Sequence, residues 1–169
     1  MTKPIDRDEF LKVLEANKGI IYKVSRVYCK LEEDRKDLMQ EIIIQIWNSF
    51  HTYNSQYKHS TWIYRISINV AISHYRKNSV RQSKSILLSD TANYIDEGQA
   101  NEKEGDIALL YQVIHELNNL DKALILLYLE QNSYKEIAEI IDLTETNVAT
   151  KISRVKKIIK QRFLAIKNN

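Results

Sequence analysis

The sequence predicts an all-α protein, on three observations. Only three glycines and one proline, Pro4, interrupt 169 residues. No stretch alternates apolar and polar residues between turn signals, as a half-buried strand does. Capped segments with apolar residues at three- and four-residue steps recur along the chain. The length suits one domain or two small ones, each able to bury a core.

Asp6 with Glu9 is suited to cap a first helix, whose Phe10, Val13 and Leu14 share a face. A second apolar series, Ile20, Val24, Val27 and Leu31, keeps the helical period as far as a charged stop at Glu32, Glu33 and Asp34. A third helix over residues 35–51 is expected to be central, because Leu38, Met39, Ile42, Ile43, Ile46, Trp47 and Phe50 fill a broad apolar sector. At about 3.6 residues per turn, Asp37, Gln40, Glu41, Ile44 and Asn48 fall on one polar strip that has a single isoleucine in it. A small apolar centre with a polar rim is the make-up of an interaction patch, although a lone exposed isoleucine is also ordinary on any surface.

Residues 52–60, TYNSQYKHS, are polar and aromatic without a period and read as a loop carrying Tyr53 and Tyr57 outward. Ser60 or Thr61 then caps a fourth helix, WIYRISINVAISHYRK, with Ile63, Ile66 and Val70 inward and Arg65, Asn69, Arg76 and Lys77 outward. Aromatics interleaved with cations, here with Trp62 and Tyr64, suit stacking of unpaired bases while their backbone is held. The same rings suit plain packing as well. Between Asn78 and Gly105 the pattern dissolves into serines, asparagines and acids, apart from Ile86 to Leu88. This divides the chain into a first domain at 1–78, a linker at 79–105 and a second domain at 106–169.

In the second domain, Asp106 is expected to cap a helix with Ile107, Leu110, Tyr111, Ile114 and Leu117 inward, and Asp121 to cap another running through Tyr128. From Ser133 the signals sharpen. Ser133 and Glu136 form a capping box, Ile137, Ala138 and Ile141 give the next helix an apolar face, and Asp142 stands at its exit, a residue type that tolerates positive φ. Thr144 caps a further helix in which Val148, Ile152, Val155, Ile159 and Phe163 form one stripe. Helices joined by so short a turn cross each other, which is the helix-turn-helix arrangement. The opposite face carries Thr146, Asn147, Thr150, Lys151, Arg154 and Lys157, with no carboxylate after Glu145. A charge run alone is usually a solvated face, but after a short capped helix it suits a phosphate-lined groove.

The net charge is +3 and unevenly placed: from Lys151 onward every charged side chain is basic, while Asp90 to Asp106 is mostly acidic. That unevenness suits contact with a polyanion by parts of the chain only. Cys29 is the only cysteine, so no internal disulfide forms, and the composition fits a reducing cytoplasm. His51, His59, His74 and His115 lack metal-ligand spacing, and no metal or cofactor is expected. Residues 1–10 lack the apolar core of a signal peptide, and the longest apolar run, Ala123 to Leu129, is too short to span a bilayer, so no direct membrane insertion is expected. No nucleophile with a nearby base and no glycine-rich phosphate loop supports an enzyme.

Stretches in both halves of the chain resemble one family. DLMQEIIIQIW (Asp37 to Trp47) looks like the clamp-binding helix of bacterial RNA polymerase sigma factors of the extracytoplasmic-function group, and STWIYRISIN (Ser60 to Asn69) looks like that family's promoter-melting helix. The segment from Leu117 to Ile158 is similar to its carboxy-terminal domain nearly end to end. The sequence departs from the pattern at His59, where the family commonly has phenylalanine, at Asp142, where it has glycine, and at Ala149, a position often basic.

The resemblance implies a protein that does no covalent chemistry itself. Core RNA polymerase would hold both domains through a surface that includes Asp37, Gln40, Glu41, Ile44 and Asn48. The second domain would read the minus-thirty-five element of promoter DNA as duplex through Asn147, Lys151 and Arg154, with Thr146, Thr150 and Lys157 beside them. The first would open the minus-ten element: Trp62 near the strand junction, Arg65 and Asn69 at its upstream edge, Arg76 and Lys77 nearby, and the loop from Tyr53 through Tyr57 to His59 receiving a flipped base. An anti-sigma factor is a possible further partner. Two other readings stay open on sequence. One is a helix-turn-helix regulator acting without polymerase, which leaves the strip and the aromatic loop unused. The other is an all-helical adaptor whose basic stripe contacts protein.

Overall fold

The computed structural model describes residues 4–85 and 102–169, and among these all regular structure is helical. The elements are α1 (Arg7–Tyr28), α2 (Glu32–Ser49), a short 3-10 turn (Phe50–Thr52), α3 (His59–Ser85), α4 (Glu102–His115), α5 (Asn119–Leu129), α6 (Tyr134–Ile141) and α7 (Glu145–Lys167).

The Asp6 carboxylate caps α1 by accepting from the backbone amides of Asp8 (3.0 Å) and Glu9 (3.3 Å). The two apolar series expected from sequence are one continuous helix. Nothing between them caps or breaks it: Asn17 bonds back to the Val13 carbonyl (2.8 Å) inside the helix. The acids Glu32, Glu33 and Asp34 are not a stop but the first turn of α2, where carboxylates meet the positive end of the helix dipole. Leu31 at that N-cap supplies no side-chain bond. Arg35 secures the corner instead, donating to the carbonyls of Cys29 (3.0 Å) and Lys30 (2.7 Å).

Leu38, Ile42 and Ile46 of α2 are fully buried. Phe10 of α1 meets Trp47 and Phe50 edge-on at 4.8 Å and 5.5 Å, and Phe50 continues to Trp62 of α3 at 6.2 Å. Helix α3 buries Ile63, Tyr64, Ile68 and Ala71, whereas Ile66 and Val70, expected inward, are half-buried. It continues to Ser85, and α4 begins at Glu102, so both ends of the stretch read as a linker are helical. The Ile86 to Leu88 patch and the acids Asp90, Asp96 and Glu97 lie outside the described residues.

Only the C-terminal half of α4 is covered, through Val113 and Ile114 and, just past its end, Leu117. Ile107, expected inward, is exposed for that reason. Asp106 lies inside α4 rather than capping it and pairs with Lys167 of α7 (3.0 Å). The cap of α5 is Asn118, three residues earlier than the expected Asp121, and its side chain accepts from the Asp121 amide (2.9 Å). Asp121 is buried in the first turn, where its carboxylate takes a bond from the Asn118 amide group (2.9 Å).

The helix-turn-helix is as expected. The Glu136 amide donates to Ser133 Oγ (3.1 Å), and the Ser133 amide donates to Glu136 Oε2 (2.8 Å). Asp142 ends α6 at φ 57°, ψ 51°, and Thr144 Oγ1 caps α7 by accepting from the Asn147 amide (3.1 Å). The two halves of the chain pack on each other, α1 against α4 and α5 and α3 against α6, and the buried apolar side chains form a single cluster through both. No helix of the described residues is long and apolar enough to cross a membrane.

The left-handed conformation at Asp142 strains any residue with a Cβ. Asp142→Gly is expected to raise stability by about 0.5–1 kcal/mol and Asp142→Val to lower it by at least about 1 kcal/mol, measured by urea denaturation of the full chain. Equal stability of the two variants would show that the turn does not set the crossing of α6 and α7.

Candidate nucleic-acid and protein interfaces

The face of α7 that sequence assigns to DNA is solvent-facing. Thr146, Asn147, Thr150, Arg154 and Lys157 are exposed and Lys151 half-exposed, while Val148, Ile152, Val155 and Ile159 turn into the core. These side chains differ in how free they are. The Thr150 hydroxyl donates to the Thr146 carbonyl (3.0 Å), so it is a fixed acceptor. Arg154 Nη2 donates to Asp121 Oδ1 at 2.8 Å. The carboxylate is buried and the guanidinium half-exposed, so the pair ties α7 to α5 and presents the remaining guanidinium edge at a fixed angle. Sequence reasoning missed this tie because the partners lie 33 residues apart with no spacing signal.

The aromatic loop is preorganised rather than loose. Tyr53 stacks on His59 at 4.3 Å and 19° between planes, meets Trp62 edge-on at 5.3 Å, and donates its hydroxyl to the Tyr57 carbonyl. The Gln56 amide donates to Asn54 Oδ1 (3.0 Å), closing the bend between them. Of the two tyrosines expected outward, Tyr57 is exposed and Tyr53 half-buried. His59 therefore does pack where a phenylalanine would, by stacking on Tyr53. On α3, Asn69, Arg76 and Lys77 are exposed, as expected. Arg65 is half-buried: its Nη2 donates to the Glu139 carbonyl of α6, and its guanidinium lies 5.9 Å from the Tyr57 ring centre.

The strip on α2 is intact. Asp37, Gln40, Glu41, Ile44 and Asn48 are all exposed, and Ile44 keeps 59% of its surface open. Glu41 is held by His74 of α3, whose Nδ1 lies 3.3 Å from Glu41 Oε2. A hollow of about 440 Å³ beside the strip is lined by Asp34, Asp37, Glu41, His74 and Lys77. A second concavity, which sequence reasoning did not anticipate, lies on the other half. It is an apolar groove of about 740 Å³ lined by Leu110, Ile125, Leu129, Tyr134, Phe163 and Leu164 and edged by lysines. It explains why Phe163, last of the α7 stripe, is only half-buried. The signal for it was present in Leu129 and Leu164, large apolar residues that continue past the covered part of each helix.

Arg154→Ala is expected to cost about 1–2 kcal/mol of stability, because Asp121 is left buried without its cation. Arg154→Lys is expected to recover part of that, with chemical denaturation as the readout. A cost below about 0.3 kcal/mol would make the pair incidental, since ordinary surface changes fall within that range.

The Sigma-70 region 2 family matches residues 13–81, and the Sigma-70 region 4 family matches residues 107–159. The chain is similar to the ECF RNA polymerase sigma-E factor of Haemophilus influenzae, at 28% identity over 77% of this chain and 75% of that one. Its similarity to RNA polymerase sigma factor SigV of Bacillus subtilis is also 28%, over 85% and 84%. In fold it matches the sigma factor RpoE solved with the anti-sigma factor NepR from Bartonella quintana, with a TM-score of 0.69, 18% identity, and coverage of 92% of this chain and 94% of that one. It likewise matches CnrH solved with the cytosolic domain of CnrY, with a TM-score of 0.69, 15% identity, and coverage of 95% and 90%. Both halves match in the expected order, and the relatives align over most of their length: the chain belongs to the extracytoplasmic-function group of RNA polymerase sigma factors.

Proposed function

We propose that this sigma factor docks on core RNA polymerase through the strip Asp37, Gln40, Glu41, Ile44 and Asn48, reads the minus-thirty-five element with α7, and opens the minus-ten element with the aromatic loop and α3. The observation that carries the reading is the strip. Ile44 is the most open large apolar residue in the described structure, and it is ringed by polar side chains whose carboxylate Glu41 is oriented from behind by His74. Fixed polar groups around a desolvatable apolar centre favour a specific protein partner over solvent. On α7, Asn147 and Lys151 keep their side-chain donors for base edges or phosphates, and Arg154 offers the edge not taken by Asp121. In the loop, Tyr57 offers an exposed ring face beside the Arg65 guanidinium, the pairing on which an unstacked base is held. The protein works in the cytoplasm with polymerase, and the sigma factor RpoE, which it resembles in fold, was solved with an anti-sigma factor, which supports such a factor as a further partner.

Reconstitution with core polymerase and a promoter template tests the reading, and promoter-dependent initiation is the expected result. Ile44→Asp is expected to leave circular dichroism and the melting temperature nearly unchanged while reducing retention on core polymerase by at least about tenfold, the effect of placing a charge in a buried interface centre. Unfolding of the variant would return Ile44 to the core and remove the strip from its role.

Tyr57→Ala is expected to slow open-complex formation on duplex promoters by roughly tenfold, since base–aromatic stacking is worth about 1–3 kcal/mol. Templates already unpaired at the minus-ten element are expected to show a much smaller defect by permanganate footprinting. Equal defects on both templates would assign the loop to packing alone.

A further inference from the structure

A pocket of about 460 Å³ lies in the seam between the two halves. The corner between α1 and α2 supplies Tyr28, Cys29, Lys30 and Asp34 to its wall. Tyr75 and Asn78 of α3 form another side, and the second half contributes His115 and Lys122. The pocket shares no residue with the strip on α2, the basic face of α7 or the aromatic loop.

Lys122 gives this pocket its chemistry. It is 1% exposed and forms no ion pair among the described residues. Its ammonium lies against ring faces, 4.6 Å from the Tyr75 centre and 5.8 Å from that of Tyr28. Rings attract a cation without neutralising it, and an enclosed charge needs a counter-charge.

The acidic groups around it do not supply one. Burial, with Asp34 adding to it, pushes the Cys29 thiol up to about 11, so the sulfur keeps its proton at neutral pH. Burial raises the Tyr28 hydroxyl as well, and that hydroxyl donates to the Asn119 carbonyl (2.7 Å). Asp34 lines the pocket but does not pair with Lys122. The next charge is positive: burial and then Lys30 hold Lys122 below the ordinary lysine range. His115 Nε2 donates to the Arg26 carbonyl (2.9 Å). Burial nevertheless keeps the ring below the ordinary histidine range, and the charges of Lys122, Lys30 and Arg35 act in the same direction.

Two ammonium groups on one wall of a pocket identify the class of ligand. Each is a point charge with three rotatable donors, suited to the spread oxygens of a phosphate, and no arginine among the lining residues offers the planar fork that matches a carboxylate. The volume is within the range of small-molecule sites, about 300–1,000 Å³, and exceeds what a single ion fills. We propose that this pocket binds a small phosphorylated molecule, its phosphate against Lys122 and Lys30 and the remainder along the Tyr28 and Tyr75 rings.

Titration of the full chain with ribose 5-phosphate, inorganic phosphate and acetate at matched ionic strength tests it. The readout is the nuclear magnetic resonance signal of the His115 ring, assigned by its loss in His115→Gln. Ribose 5-phosphate is expected to shift that signal saturably and to raise the His115 pKa, since a negative charge beside Lys122 and Lys30 offsets the charges that depress it. Lys122→Met is expected to weaken binding at least about tenfold through the lost charge-assisted bonds. Lys30→Ala, at an exposed residue, is expected to weaken it about threefold, and it carries the test if Lys122→Met does not fold. Lys12→Ala, which removes one exposed charge elsewhere on α1, is expected to leave the affinity unchanged. An equal response to acetate, an equal loss in Lys12→Ala, or binding that persists in the pocket variants would overturn the proposal. Inorganic phosphate is expected to bind more weakly than the sugar phosphate; equal affinity would overturn the phosphorylated molecule and make the free ion the occupant.

Discussion

Helix α3 has to bury two faces at once, and the rest of the structure follows from that constraint. One face enters the core made with α1 and α2, and another meets α6. Ile63, Tyr64, Ile68 and Ala71 are almost entirely enclosed, so the helix has little freedom to tilt or rotate. The aromatic loop inherits that rigidity. Its exit residue His59 opens α3 and stacks on Tyr53, and Trp62, one turn further on, is wedged between Phe50 and Tyr53. The chain of rings from Trp47 through Phe10, Phe50 and Trp62 to Tyr53 runs from α2 to the loop. Edge-on ring contacts are directional, so the loop's shape is specified from the core outward.

Polar groups tie the same core to its working surfaces. His74 is buried on α3, with Asn78 Nδ2 3.0 Å from its Nε2 and Glu41 3.3 Å from its Nδ1. The two ring nitrogens are each held by a neighbouring polar group, one on α3 itself and one on α2. Glu41 is thus oriented by a ring that a third side chain holds in place. Arg154 and Asp121 do the equivalent for α7. In both cases a side chain at the working surface is anchored to a buried partner on a neighbouring helix, which reduces the entropy lost when a ligand engages it.

Much of the fold was legible because local chemistry dominated it. The capping box at Ser133, the left-handed exit at Asp142 and the Thr144 cap are contacts within three or four residues, and short-range rules suffice for those. The facing of α2 was legible because one side of that helix is covered and the other is not. Errors arose where a neighbour decided the matter. Ile107 fits the period of α4 but lies beyond the part that is covered. Asp121 looks like a cap but is the buried partner of Arg154. The acids at 32–34 read equally well as a stop or a first turn, and Arg35 across the corner selects the second. At the site, the residue types and their outward placement were visible. The engagement of Arg65 by Glu139 was not, since it joins positions 74 residues apart.

The modest net charge takes on a different meaning once the halves are seen together. A sum of +3 suggests a weak polyanion binder, yet it conceals two opposed surfaces. Glu136, Glu139, Asp142 and Glu145 gather on and beside α6, facing Lys58 and Arg65. The ion pairs along that seam are largely solvent-exposed, so each contributes at most about 1 kcal/mol and less as salt rises. They choose which faces meet, while apolar burial supplies most of the energy. Lys122, enclosed without a carboxylate, subtracts from that energy. The balance differs from a permanent core, in which buried charges are paired. The seam therefore combines charge complementarity at its edge with one cation at its centre that has no carboxylate partner among the described residues, inside an apolar cluster that runs through both halves. The strip Asp37, Gln40, Glu41, Ile44 and Asn48 on α2 stays exposed while the two halves are packed together, so access to it does not depend on the seam.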